Sequence, residues 1–314
     1  MPAPLKCAKR RLRGGLLVSM VATLLLGLPV PSSASDVEGE CLLRLIAEPL
    51  ELQLTYDAFA VGNTLQTTRL RLENLADRPC RILLEPQSHG SGRIEMALAN
   101  TSLRGELFVG TDRRSLQEMT TGRPLEFLMP ANGRQSLEIG MRLQPGAFPM
   151  PGSYADGLSL ALRDRDTGQL ALEELLVRIH IEVPTRVQLN LAGSDPQRST
   201  GNGAHVVDFG ELETGAQRAV NLQVRANQTY RVSFRSENRG QLRRPAWPQE
   251  PGIDYRLVVA GRSTDLSAPL ELSMPRPMTP DGINLPIHIH IGEVGSYLAG
   301  TYEDVVHVSV LAHY

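Results

Sequence analysis

The chain has 314 residues, a length that suggests two ordinary domains, and 41% of them are hydrophobic, enough to bury two cores. The formal net charge of -2 implies no nucleic-acid or anionic-membrane partner. With 28 glycines and 22 prolines, turns are frequent along its whole length.

The first 35 residues read as a signal peptide. Lys6, Lys9, Arg10, Arg11 and Arg13 form a basic front, Gly15 to Leu28 is uncharged and apolar, and small turn-forming residues follow up to Ser35. The apolar run is short for a span of ~20 residues, so export and removal are expected rather than anchoring. Cys7 then leaves with the signal. Cys41 and Cys80 remain as a pair in an exported chain, for which a disulfide is the default.

From there the pattern is of short strands. Leu50, Leu52 and Leu54 alternate with Glu51 and Gln53; Thr68 to Asn74 alternates cleanly; Cys80 to Leu84 follows a turn. Glu106 to Val109, Pro124 to Met129 and Ser136 to Leu143 are further strands. Then come the loop Pro145 to Pro151 and the stretch Pro151 to Leu162 (PGSYADGLSLAL). Asp164 to Gly168 is a hairpin turn. Beyond it Leu175, Val177, Ile179, Ile181 and Val183 share one face of a long strand; the β-branched residues argue against a helix over Gln169 to Leu176.

The rest of the chain repeats this plan. Val187, Leu189 and Leu191 open it, a polar Gly- and Ser-rich loop spans Gly193 to Ala204, and Val206 to Gly210 reads as a strand. Ala219 to Val224 answers Thr68 to Glu73, and Tyr230 to Phe234 answers Cys80 to Leu84. Gly300, Tyr302 and Asp304 repeat Gly152, Tyr154 and Asp156 at a fixed offset, and the last strand places Val306, Val308 and Val310 on one face. After the first of these paired stretches another strand follows, Glu174 to Val183; after the second none is seen. The expected fold is all-β, two immunoglobulin-like β-sandwiches over residues 36–184 and 185–314, with a jelly roll or a single larger barrel as the alternatives.

Three stretches resemble the spore coat protein U domain, the pilin domain of archaic chaperone–usher pili. They are Cys41 with Tyr56-Asp57-Ala58-Phe59 and Cys80; Val207 to Leu212 (VDFGEL); and Ala299 to Val310 (AGTYEDVVHVSV). The second repeat departs from the pattern, with Tyr230 where Cys80 stands. The resemblance implies a sandwich lacking its last strand, whose groove is filled first by a periplasmic chaperone and then by a strand of the adjacent pilin subunit after passage through an outer-membrane usher. Val306, Val308 and Val310 would line that groove. Only Asp36 to Glu40 precedes Cys41 after cleavage, so the chain is expected to accept a strand and not to donate one. This is the layout of a tip subunit, exported and carried to a surface pilus, with an adhesin in its first domain.

Phe148 and Met150, held between prolines, are a candidate adhesive loop, or else a plug between sheets. Trp247 stacks on a sugar or covers a sheet edge. His288 and His290 share one strand face without a third ligand nearby, so no metal or other cofactor is expected. No nucleophile elbow, phosphate loop or zinc signature occurs, and an enzyme is not expected. The competing function is a free secreted or periplasmic two-domain module that binds or hydrolyses carbohydrate.

Overall fold

A computed structural model describes residues 40–46, 50–88, 93–110, 113–116, 119, 124–192 and 205–313. The signal-peptide reading, with Cys7, lies outside the described residues, as does the whole Gly193 to Ala204 loop.

The first eleven strands make two facing sheets. One runs β1 (Leu43–Leu45), β3 (Thr64–Asn74), β9 (Arg134–Leu143), β6 (Thr101–Val109), β5 (Arg93–Leu98), with β7 (Arg114–Ser115) added on β6. The other runs β2 (Leu50–Thr55), β11 (Leu170–Val183), β10 (Gly152–Asp164), β4 (Cys80–Pro86), β8 (Leu125–Met129). Alternation explains each placement: on β2, Leu50, Leu52 and Leu54 are buried and Glu51 and Gln53 exposed, and on β4 the buried side chains are Cys80, Ile82 and Leu84. The inward residues of both sheets form one core. Cys41 and Cys80 are joined, with Cα atoms 6.0 Å apart, which ties the start of the β1 sheet to β4 of the opposite sheet.

The remaining strands repeat one sheet in full. β12 (Val187–Ala192), β13 (Gln217–Ala226), β19 (Ile283–Ile291), β16 (Ile253–Val259) and β15 (Gln241–Leu242) lie in the order of their counterparts, and β17 (Arg262–Thr264) sits on β16 as β7 sits on β6. The facing sheet is shorter: β18 (Leu270–Met274), β14 (Tyr230–Ser236) and β20 (Val306–Ala312), with no strand beyond β20 among the described residues. Cys80 pairs with Met129 and Tyr230 with Met274, so Tyr230 occupies the place of Cys80.

The expected strand at Val206 to Gly210 is not formed; residues 205–209 have no ladder. The physical reason lies in the first sandwich. There the counterpart, β2, pairs with β11 alone, through a parallel ladder from Leu50↔Val177 to Thr55↔Glu182. Among the described residues the second sandwich has no strand in the position of β11, so Val206 to Gly210 has no strand to build a ladder with.

Candidate strand-acceptor groove

In the first sandwich β11 fills the gap between β10 and β2. It is antiparallel to β10 from Gly152↔Val183 onward, and Tyr56 N donates to Glu182 O at 2.9 Å. Leu175, Val177, Ile179, Ile181 and Val183 are buried beneath it, as are Tyr154, Leu158, Leu160 and Leu162 of β10. Burying five such side chains is worth roughly 1.5–3 kcal/mol each. The sum is comparable to the net stability of a whole domain, about 5–15 kcal/mol.

In the second sandwich β20 pairs with β14 on one side, and among the described residues its other edge has no partner strand. His313 N donates to Thr229 O and Glu237 N to Val305 O, both at 2.9 Å, so odd-numbered residues bond β14. The N–H and C=O groups of Val306, Val308 and Val310 therefore point to the open edge. Their side chains are half-buried and pack against the second core, whereas the counterpart positions on β10 are closed over. The opposite side of the gap is formed by β12, which lies against β20, with Val187 and Leu191 half-buried and Leu189 42% exposed although it shares their face. Val207, Phe209 and Leu212, from the segment that forms no strand, complete an apolar lining.

Both ends of the groove carry polar detail. At the start of β20, Asp304 accepts from Tyr255 Oη and Ser236 Oγ at 2.5 Å through Oδ2, and from Asn238 N at 3.0 Å and Val305 N at 2.8 Å through Oδ1. Burial first, and then the adjoining Asp304 carboxylate, push the Tyr255 phenol well above its ordinary range. At the other end Tyr230 is fully buried and, among the described residues, its hydroxyl has no hydrogen-bond partner. Burial raises its pKa from 10.0 to about 12. A raised folded-state value means that the fold holds the proton more tightly than the unfolded chain. This contribution is complete below pH 10 and is lost as pH rises toward 12, by about 1.4 kcal/mol per unit. Tyr230→Phe should therefore weaken the alkaline loss and, by removing an unmet hydroxyl, gain about 1 kcal/mol at pH 8. Urea unfolding at pH 8 and pH 11 checks both parts; a less stable Phe variant at pH 8 would contradict the assignment.

Phe148 is placed between the two sandwiches, in contact with both. The Phe148 ring stacks on Phe59 with centroids 6.3 Å apart, and the Arg276 guanidinium lies 4.4 Å above it and donates to the Phe148 carbonyl. Arg225 covers Phe59 at 4.5 Å, and Arg186 lies 3.8 Å from Asp57. Met150 is half-buried; its N donates to Thr101 Oγ1 at 3.1 Å. Sequence reading named Phe59 only within the Tyr56-to-Phe59 stretch and missed Arg225 and Arg276, since contacts spanning up to 128 positions leave no local pattern. Trp247 is 58% exposed, with the Arg244 guanidinium 5.9 Å from its ring. His288 points outward, and His307 Nε2 lies 2.7 Å from Glu237 Oε1. Among the described residues no cluster of three or more His, Cys, Asp or Glu side chains could hold a metal ion.

No family model matches the chain, and no curated protein matches it. Among solved structures it is similar to the chaperone–tip adhesion subunit pre-assembly complex CsuC–CsuE from archaic chaperone-usher Csu pili of Acinetobacter baumannii, with 14% identity, a TM-score of 0.46, and 85% of this chain and 99% of that chain covered. It is also similar to the CFA/I adhesin CfaE of enterotoxigenic Escherichia coli, with 12% identity, a TM-score of 0.34, and 85% and 94% covered. A third match is the CooA pilin subunit of enterotoxigenic Escherichia coli, with 13% identity, a TM-score of 0.31, and 46% and 99% covered. At these values no residue role passes from them to this chain.

Proposed function

We propose that this protein is the tip subunit of a surface pilus of the archaic chaperone–usher kind, and that its second sandwich accepts a strand from the adjacent pilin. One observation carries the reading. Among the described residues the sheet β18-β14-β20 stops where the equivalent sheet of the first sandwich continues into β11 and β2. An edge of that length beside a half-bare apolar core is an aggregation hazard unless a strand covers it. Strand addition answers both needs at once, since main-chain bonds satisfy β20 and alternate side chains fill the gap. The spore-coat-U-like stretches support the same reading, because the third of them runs into β20, from Val306 to Val310.

The first sandwich supports the tip position. Its gap is occupied by the chain's own β11, so among the described residues one acceptor edge is left, that of β20. We assign residues 36–184 to a self-closed domain that presents the receptor-facing surface, residues 185–314 to the acceptor domain, and residues 1–35 to an export signal. The partners are then a periplasmic chaperone, which covers the groove in transit, an outer-membrane usher, and one pilin. We assign Phe148 and Met150 to the joint between the domains, so adhesion falls to other loops of the first sandwich.

Periplasmic co-expression tests the proposal. With a pilus chaperone the chain should be recovered as a soluble one-to-one complex, and with a donor-bearing pilin it should cap fibres and never lengthen them. A chain that stays monomeric and stable alone, and ignores both partners, belongs instead to the free carbohydrate-binding or hydrolytic class.

A further inference from the structure

The joint between the two sandwiches shows how a strand and the domain that carries it are received together. β11 fills the first gap and ends at Val183; after three intervening residues β12 begins, and the sandwich it opens covers the nearby end of the first. That end consists of the Asp57 turn, where Phe59 N donates to Asp57 Oδ1 at 3.0 Å, and of the loop closed by Tyr154 Oη donating to Met150 O at 2.9 Å. Its rings, Phe59 and Phe148, lie under the cations Arg225 and Arg276 of the arriving sandwich.

The second sandwich builds the same end again. Gly210 N donates to Asp208 Oδ1 at 2.8 Å, and Tyr302 Oη donates to Leu298 O at 2.8 Å, four residues back as in the first copy. Among the described residues no second sandwich covers it. Leu298, the counterpart of half-buried Met150, is 65% exposed. Beside it the Tyr297 and Tyr302 rings meet edge to face at 6.3 Å, and Arg244 lies along Gly300 and reaches over exposed Trp247. This end lies at the start of β20. A strand that runs antiparallel to β20, as β11 does to β10, would leave the groove there.

We propose that the Trp247–Leu298 face is a docking surface for the body of the domain that supplies the strand. Its occupant is a β-sandwich whose approaching end presents guanidinium groups, in the manner of Arg225 and Arg276. Cations over aromatic rings and burial of Leu298 would make the joint, and would hold the two bodies in a fixed relation rather than as beads on a thread. The inference rests on the strand-acceptor reading of the groove.

Trp247 is the chain's sole tryptophan, so its fluorescence reports on this face directly. Two fusions are compared, each behind Tyr314 through a flexible linker: residues 170–183 alone, and residues 170–314 carrying Trp247→Phe in the appended copy. The strand alone should raise the melting temperature of the second sandwich and leave Trp247 emission unmoved. The strand with its body should also shift the emission to the blue and lower acrylamide quenching about twofold. Leu298→Ser, a change at an exposed position, should abolish that additional protection and leave the effect of the strand intact. If the strand alone stabilises while Trp247 remains equally quenched with the body attached, docking is overturned and the groove stands. If neither fusion raises the melting temperature, the groove reading fails and the docking inference falls with it.

Discussion

Ile179→Asp should unfold the first sandwich while Arg178→Asp, one residue away, leaves it intact. Ile179 is buried in the middle of β11, with Leu52 of β2 on one side and Asp156 of β10 on the other. A carboxylate there has no partner cation and costs several kcal/mol in desolvation, besides the lost apolar burial. That sum approaches the whole stability of a domain, about 5–15 kcal/mol. Arg178 faces solvent, where substitutions shift stability by about 0.5 kcal/mol or less. Calorimetry should show the first transition gone in one variant and kept in the other. A chain ending at Arg163 should aggregate for the same reason, since it removes β11 and leaves β2 and β10 both unpaired on that side. Equal melting of the two point variants would mean that β11 does not close the first sandwich.

Breaking Cys41–Cys80 should be the next largest effect. The two cysteines are 39 positions apart and both are buried, one beside each sheet of the first sandwich. Loss of the bond by Cys41→Ser with Cys80→Ser should cost ~2–5 kcal/mol. The first transition should fall by about 10 °C. The second sandwich holds no cysteine, so its transition should not move. A uniform fall of both transitions would contradict two separately stabilised cores.

Much of this architecture is legible in the residues. The alternation of Val306, Val308 and Val310 gives β20 its face, and the recurrence of Gly, Tyr and Asp at 152, 154, 156 and 300, 302, 304 shows the repeat. The local bonds behind that recurrence are the same in both copies: Asp156 accepts from Gly157 N at 2.7 Å, and Asp304 from Val305 N at 2.8 Å. What misleads is Val206 to Gly210, whose alternation asks for a strand that its surroundings do not supply. A ladder needs two backbones, and periodicity reports one. The joint was hidden for another reason. Phe148 looks like an exposed apolar tip from its flanking prolines, yet its cover comes from Arg276, far along the chain. Tyr230 lies between these cases: its position opposite Cys80 was readable, while its unmet hydroxyl depends on packing.

Amide exchange along β20 is the most direct measure of an open acceptor edge. In the chain alone, Ser309 and Leu311 should be protected, since their N–H groups bond β14, and Val308 and Val310 should exchange quickly, since theirs face the gap. Adding a strand of alternating apolar residues should protect Val308 and Val310 and leave Ser309 and Leu311 unchanged. The same strand slipped by one residue should not, because its apolar face would turn to solvent. Val308 and Val310 protected as fully as their neighbours with no strand added would contradict an open groove.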